Sequence, residues 1–320
     1  MLHWFKWEAY LTFATGLGLL IVQYYVHAEA YLIDPAVMPL TQWQAIGISV
    51  ASLAAGWFIY DGLCRTKVGD NTVLLALAVF ALILIAALLY TKVFSGRGAF
   101  IHVGALVGTI MAANVFAIII PNQKKMIAQM IAGQTPEARY GAIGKQRSIH
   151  NNYLTLPVLL MMVSQHYPFL FSHPQSWLVV ALILLSGGFI RHILNRVDAG
   201  DDWDGYGWAL PAAAMALLAA IFVTAPQTRD AAKAGAAVTD SQALAIAAKH
   251  CTNCHAREPS HPAFREPPKN VSLETAAEMR RWAKPILQLT VHKRAMPMGN
   301  QTAMTDEERD ALGRWANGLK

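Results

Sequence analysis

Long apolar stretches fill the first two thirds of the chain and are missing from the last third. Residues 9–27 carry no formal charge, and nineteen residues at about 1.5 Å each are enough to cross a hydrocarbon layer. Similar stretches at about 43–63, 72–94, 98–120, 152–170, 176–195 and 208–224 bring the expected number of spans to seven. The first is preceded by His3-Trp4-Phe5-Lys6-Trp7-Glu8, a mixture of rings and charges suited to a membrane interface. It is expected to stay as an anchor, because the start does not show the basic, apolar and small-residue regions of a cleaved leader in order. In the fourth, Gly104, Gly108 and Ala112 recur every four residues, a pattern that lets helix backbones pack closely.

After residue 224 the pattern changes. Residues 226–240 are small and polar and read as a tether. From Ser241 a compact helical unit is expected. Asp240 or Ser241 can cap its first helix and Ser272 a middle one, and Pro285 sits near the start of another. Thr305-Asp306-Glu307-Glu308 forms a capping box, after which Leu312, Trp315 and Leu319 make one apolar stripe. The domain plan is therefore 1–225 in the membrane, 226–240 as linker and 241–320 as a small helical domain. The fold class is all-α: a polytopic transmembrane bundle of about seven spans fused to that small domain.

Cys251-Thr252-Asn253-Cys254-His255 is a C-x-x-C-H run, the signature of covalent haem c: two thioethers to the porphyrin and an imidazole on the iron. A zinc site would need more ligands at matching spacing, and the third cysteine, Cys64, lies far away in an apolar stretch. Some forty residues downstream, Met296-Pro297-Met298-Gly299 offers a thioether on a stiffened turn. Met296 is the expected sixth ligand, with Met298 as the alternative and Met304 as a weaker third. About 80 residues make a marginal domain alone, and the haem would complete its core, so the small domain is expected to be a class I-like cytochrome c domain.

Composition agrees with this division. The 320 residues are 55% hydrophobic and 14% charged, with mean hydropathy +0.33, which is too apolar for a soluble globule. The net charge of +6 matters less than where the charges lie. With a cytoplasmic start, the loops on the inner side hold Lys6, Arg65, Lys67, Lys124, Lys125, Arg139, Lys145, Arg147, Arg191 and Arg196. The short outer loops hold only Lys92 and Arg97. This positive-inside bias sends the C-terminal domain to the outside, the periplasm of a bacterial inner membrane, where c-type haem is attached. No soluble basic domain exists to bind nucleic acid. The basic loops meet anionic lipid, and Asp201-Asp202-Trp203-Asp204-Gly205 reads as a solvated turn.

Five histidines, His27, His102, His150, His166 and His192, fall within or at the ends of the spans. His150 and His166 are sixteen residues apart, about 24 Å along a helix. That spacing is what a helix ligating two stacked b haems would need, with His102 and His192 as the opposite ligands. The alternative is four interfacial imidazoles bonded to headgroups or loop carbonyls.

Several stretches together resemble a known family. They are 3–10, Gly96-Arg97-Gly98-Ala99-Phe100-Ile101-His102-Val103-Gly104, Ala113-Asn114-Val115-Phe116, Ile120-Pro121-Asn122-Gln123 and Arg147-Ser148-Ile149-His150-Asn151-Asn152-Tyr153-Leu154-Thr155-Leu156-Pro157. The order of these motifs, with the C-terminal Met296-Pro297-Met298-Gly299-Asn300 and 304–309, is similar to that of the membrane-bound bacterial urate hydroxylases, over most of residues 1–318. The resemblance implies oxidation of urate to 5-hydroxyisourate in purine degradation. It also implies that electrons pass to the fused haem c and on to a terminal oxidase or soluble cytochrome of the respiratory chain, without hydrogen peroxide. Members of that family carry a further helix ahead of the Leu2-His3-Trp4 stretch, where this sequence starts, so the sequence is expected to be N-terminally short.

For a urate anion the outer ends of the spans offer His27, Glu29, Arg97 and His102 as candidate catalytic groups, with Asn114 deeper. Against this enzyme stands a non-catalytic reading, a membrane-anchored cytochrome that carries electrons from quinol or a partner protein.

Overall fold

The computed structural model describes residues 2–171, 173, 175–225, 236–262 and 264–319. Most of the expected linker therefore lies outside the described residues. Among those described there is no β-strand.

In the apolar two thirds, α1 (Leu2–Leu20) runs on through a π-helical segment, Ile21–Val26, into the short α2 (Ala28–Tyr31). Then come α3 (Gln42–Arg65) and α4 (Thr72–Val93), started by Thr41 in a capping box with Gln44 and by Asn71 accepting from the Leu74 N–H. Ser95 caps α5 (Gly96–Ala113), which continues through a π segment, Asn114–Ile119, into α6 (Ile120–Ile131). That continuous helix of 36 residues is about 54 Å long, so its last turns extend well past a ~30 Å hydrocarbon core. α7 (Ala138–Val163), α8 (Pro168–Phe171), α9 (Ser176–Ala199), α10 (Trp203–Tyr206) and α11 (Ala209–Thr224) complete the bundle.

Among the described residues six helices are long and apolar enough to cross a membrane, not seven. The exception is the segment expected at 152–170. Its helix begins earlier, at Ala138, and ends at Val163, so Arg139, Lys145, Arg147 and His150 lie on the helix and not in a loop before it. These polar groups lower its hydropathy, yet it packs within the bundle against α5, α6 and α9. Six such helices are compatible with a multi-pass membrane protein.

The bundle core is one cluster in which Leu75, Ile83, Phe94, Phe100, Leu106, Ile110 and Met161 are almost wholly buried. Two glycines permit its close approaches. A Cβ on Gly104 would stand 3.0 Å from that of Met161, and one on Gly187 of α9 would stand 2.9 Å from Cδ of Pro157 in α7. Of the expected small-residue stripe only Gly104 makes such a contact, since a Cβ on Gly108 would meet nothing within 4 Å.

A second, separate cluster lies in the C-terminal part, with Ala243, Ala247, Met279, Leu312 and Trp315 at its centre. Its helices are α12 (Asp240–His250), α13 (Thr252–His255), α14 (Ala276–Arg281), α15 (Ala283–Ile286) and α16 (Asp306–Gly318). The caps shift from expectation. Thr239, not Asp240 or Ser241, caps α12, and Thr275, not Ser272, caps α14. In both, a Gln or Glu three residues later closes a capping box, which none of the three expected positions could do. Thr305 with Glu308 caps α16, whose Leu312 and Trp315 face inward as the pattern required.

Candidate functional site

Two buried polar clusters sit near opposite ends of the bundle. The first surrounds His102, which α5 carries into the core with no exposed surface. Its Nδ1 is 2.7 Å from the Gly98 carbonyl, one turn earlier. A carbonyl only accepts, so Nδ1 carries the proton and Nε2 is the lone-pair nitrogen. Ser49 Oγ, 2.7 Å from Nε2, must therefore donate, and the Tyr25 hydroxyl, 2.7 Å from Ser49 Oγ, donates in turn. The result is a directed chain, Tyr25 to Ser49 to His102 to Gly98. The rings of Phe94, Tyr90 and Tyr24 stand 4.6, 5.6 and 6.3 Å from the imidazole and exclude water from it.

Beside this box Tyr24 donates to Gln165 Oε1, which also accepts from Arg97 Nε at 2.7 Å. Arg97 Nη2 reaches the Gln165 carbonyl at 3.3 Å, and its guanidinium lies 5.2 Å from the centre of the Tyr31 ring. Gln165 Nε2 is buried without a hydrogen-bond partner among the described residues. Arg97 and His102, both expected, are thus joined through Tyr24 and Gln165. His27 and Glu29, in contrast, are exposed, and the Glu29 carbonyl accepts from Gln301 of the C-terminal part. Lys293, 5.8 Å from the Phe169 ring, also touches this end of the bundle.

Asn114 belongs to the second cluster. It opens the π segment after α5, and such one-turn bulges often accompany functional sites. Its Nδ2 donates to the Tyr60 hydroxyl and to Asn151 Oδ1, both at 3.0 Å, and the Tyr60 hydroxyl is hydrogen-bonded with His150 Nδ1 at 2.7 Å. Arg147, 2% exposed, pairs with Asp61 at 2.7 Å and lies 5.0 Å from the Tyr60 ring centre, while Arg65 takes the other carboxylate oxygen at 2.6 Å.

His102, expected as a b-haem ligand, has its Nδ1 on the Gly98 carbonyl and its Nε2 beside Ser49 Oγ. His166 is exposed in a 3₁₀ turn beyond the end of α7, so the two-ligand helix is interrupted before it. His150 and His192 each bond a tyrosine through Nδ1, Tyr60 and Tyr153 respectively.

In the C-terminal part α12 leads straight into Cys251, and α13 holds Cys254 and His255 on the next turn. His255 Nδ1 lies 3.0 Å from the Val271 carbonyl, which fixes the tautomer and leaves Nε2 as the nitrogen able to bind a metal. Burial pushes the Cys251 thiol up to about 11, Cys254 adding to the effect and Arg309 opposing it. Met296 occupies an irregular loop, joined to Pro297 by a cis peptide bond. Met298 begins the following 3₁₀ turn, and Met304 is buried in the apolar cluster, where it acts as core. Cys251, Cys254, His255 and Met296 form a donor set that suits a covalently held haem, two thiols and a tautomer-fixed imidazole with a thioether on a separate loop. Among the described residues no three His, Cys, Asp or Glu side chains gather as an ion-binding group.

The urate oxidase N-terminal family matches residues 1–225, from the first helix to the end of α11. The chain belongs to that family. Neither the curated proteins nor the solved structures contain a match. Membership makes it a urate oxidase-related protein, and both polar clusters lie within the matched region.

Sequence reasoning overlooked Tyr24, Tyr25, Ser49 and Gln165, which come from three separate segments and have no local pattern. It also read Arg147 as a topology determinant. The signal that could have found its partner was Asp61, an acid inside an apolar run.

Proposed function

We propose that this urate oxidase-family chain oxidises urate to 5-hydroxyisourate in the membrane and passes the electrons to a haem c in its C-terminal part. The observation that carries the reading is the family match over residues 1–225 in a chain whose remaining 95 residues (320 − 225) contain Cys251-Thr252-Asn253-Cys254-His255. The reaction balances as urate plus water giving 5-hydroxyisourate, two protons and two electrons. Haem c, when bound, accepts one electron at a time, so each turnover requires two transfers, and the respiratory chain takes them onward.

The cluster around His102 is the substrate site in this reading. Arg97 supplies a cation for the urate anion, and the unpartnered Gln165 Nε2 supplies a donor for one of its oxygens. His102, held by Gly98 on one side and Ser49 on the other, is the group able to receive a proton at Nε2. The Phe94, Tyr90 and Tyr24 rings keep that proton from bulk water. The site lies at the end of the bundle that Gln301 and Lys293 of the C-terminal part touch, which keeps the electron path short. In this account the bundle spans a bacterial inner membrane, and that end faces the periplasm.

The test is to feed urate to membranes containing the protein and follow both urate loss and hydrogen peroxide. Urate consumption without matching peroxide supports the reading. Stoichiometric peroxide, or no consumption when an artificial electron acceptor is supplied, overturns it.

A further inference from the structure

Arg309 is a buried cation in an otherwise apolar part of the C-terminal core, 4% exposed, near the start of α16. Its Nη1 donates to two carbonyls, Thr290 and Met296, each at 2.7 Å, and its Nη2 donates to Asn300 Oδ1 at 3.1 Å. One guanidinium thus spans a loop of eleven residues (290 to 300) and holds it at both ends and at Met296. Asn300 has a left-handed backbone (φ 43), which asparagine tolerates, and its Oδ1 also accepts from the Met304 N–H at 3.1 Å. One turn earlier on α16, Asp306 pairs with Arg294 of the same loop. The planar, rigid fork of arginine suits this task, because its donors sit on two separate nitrogens, whereas those of lysine all sit on one.

We infer that Arg309 is the positioning residue that fixes Met296 as the sixth ligand of the haem iron and raises the haem's reduction potential. This rests on the haem c reading above. The first part follows from geometry: the carbonyl of the ligand residue itself is pinned, so its thioether has little freedom to swing away. The second follows from charge, because a fixed positive group near the haem opposes the additional positive charge of ferric iron.

The experiment uses the full-length protein with haem attached. Arg309→Gln, Arg309→Lys and Asn300→Ala are compared with the native chain for the methionine–iron charge-transfer band, the reduction potential and the affinity of ferric haem for added imidazole. Loss of one such hydrogen bond, about 1 kcal/mol or somewhat more, corresponds to roughly tenfold easier displacement of methionine by imidazole. Asn300→Ala is expected to show about that change, while Arg309→Gln shows a larger one together with a lowered potential and a weakened band. Arg309→Lys keeps the potential nearer the native value, because it keeps the charge, but still binds imidazole more tightly. Native band, potential and imidazole affinity in folded Arg309→Gln would overturn the inference. Should that variant fail to fold, native behaviour in Asn300→Ala would overturn it instead. A native protein with no methionine–iron band would refute the haem ligation itself, which is a distinct outcome.

Discussion

Asp61 and Arg147 meet at 2.7 Å between α3 and α7, joining the one long helix that is too polar to count as a span to a helix that does count. Arg147 is 2% exposed and its Nε and Nη1 have no hydrogen-bond partner among the described residues, so Asp61 is the counter-charge that makes its burial tolerable. Asp61→Asn is expected to cost about 3–5 kcal/mol, because it leaves a buried cation uncompensated. Thermal unfolding in detergent checks this. Adding Arg147→Met should recover most of the loss, and equal stability of Asp61→Asn and the native chain would contradict the pairing.

His102→Asn removes the group proposed to receive the proton. Turnover of urate is expected to fall about a hundredfold or more, while dithionite still reduces the haem and the haem spectrum is unchanged. Ser49→Ala, which removes the donor to Nε2 and the acceptor of the Tyr25 hydroxyl but keeps the imidazole, should have a smaller effect. Unaltered turnover in His102→Asn would move the chemistry away from this cluster.

The axial ligand is decided by Met296→Ala against Met298→Ala. The first is expected to lose the low-spin methionine-ligated spectrum and the second to keep it. The reverse outcome would assign Met298.

Acid should loosen the C-terminal part through Glu308. Desolvation alone would raise this carboxyl, but hydrogen bonds from Lys249, the Thr305 N–H and His250 together hold it at about 2. A carboxylate depressed in the folded state contributes stability that is fully present above its ordinary value of 4.5 and is lost as pH falls through the folded value. Stability should therefore decline between about pH 4.5 and 2. Glu308→Gln should flatten that part of the curve, as followed by circular dichroism against pH. An identical acid limb in the variant would contradict the assignment.

The long apolar helices were legible because unbroken apolar runs such as 73–90 are long enough for a helix to cross a bilayer. The fifth expected span was misplaced for a related reason. Arg139, Lys145 and Arg147 look like loop residues until Asp61 is found opposite Arg147, a pairing across 86 residues of chain that no local pattern reveals. The same holds for the His102 box, since Tyr25 and Ser49 reach it from α3 and the π segment before it. Local chemistry, in contrast, read well. The capping box at Thr305 could be placed from sequence, whereas Asp240 and Ser272 misled because Thr239 and Thr275, with Gln242 and Glu278 three residues on, close reciprocal boxes there.

The central claim is that oxidation in the bundle and reduction of the haem are one reaction. Purified full-length protein, oxidised and free of oxygen, should be mixed with urate while the haem absorption is followed. The account predicts that urate alone reduces the haem, with two haem equivalents reduced per 5-hydroxyisourate formed when an excess of oxidised cytochrome is supplied. A haem that stays oxidised with urate but is reduced by quinol would contradict it and leave the chain as an electron carrier.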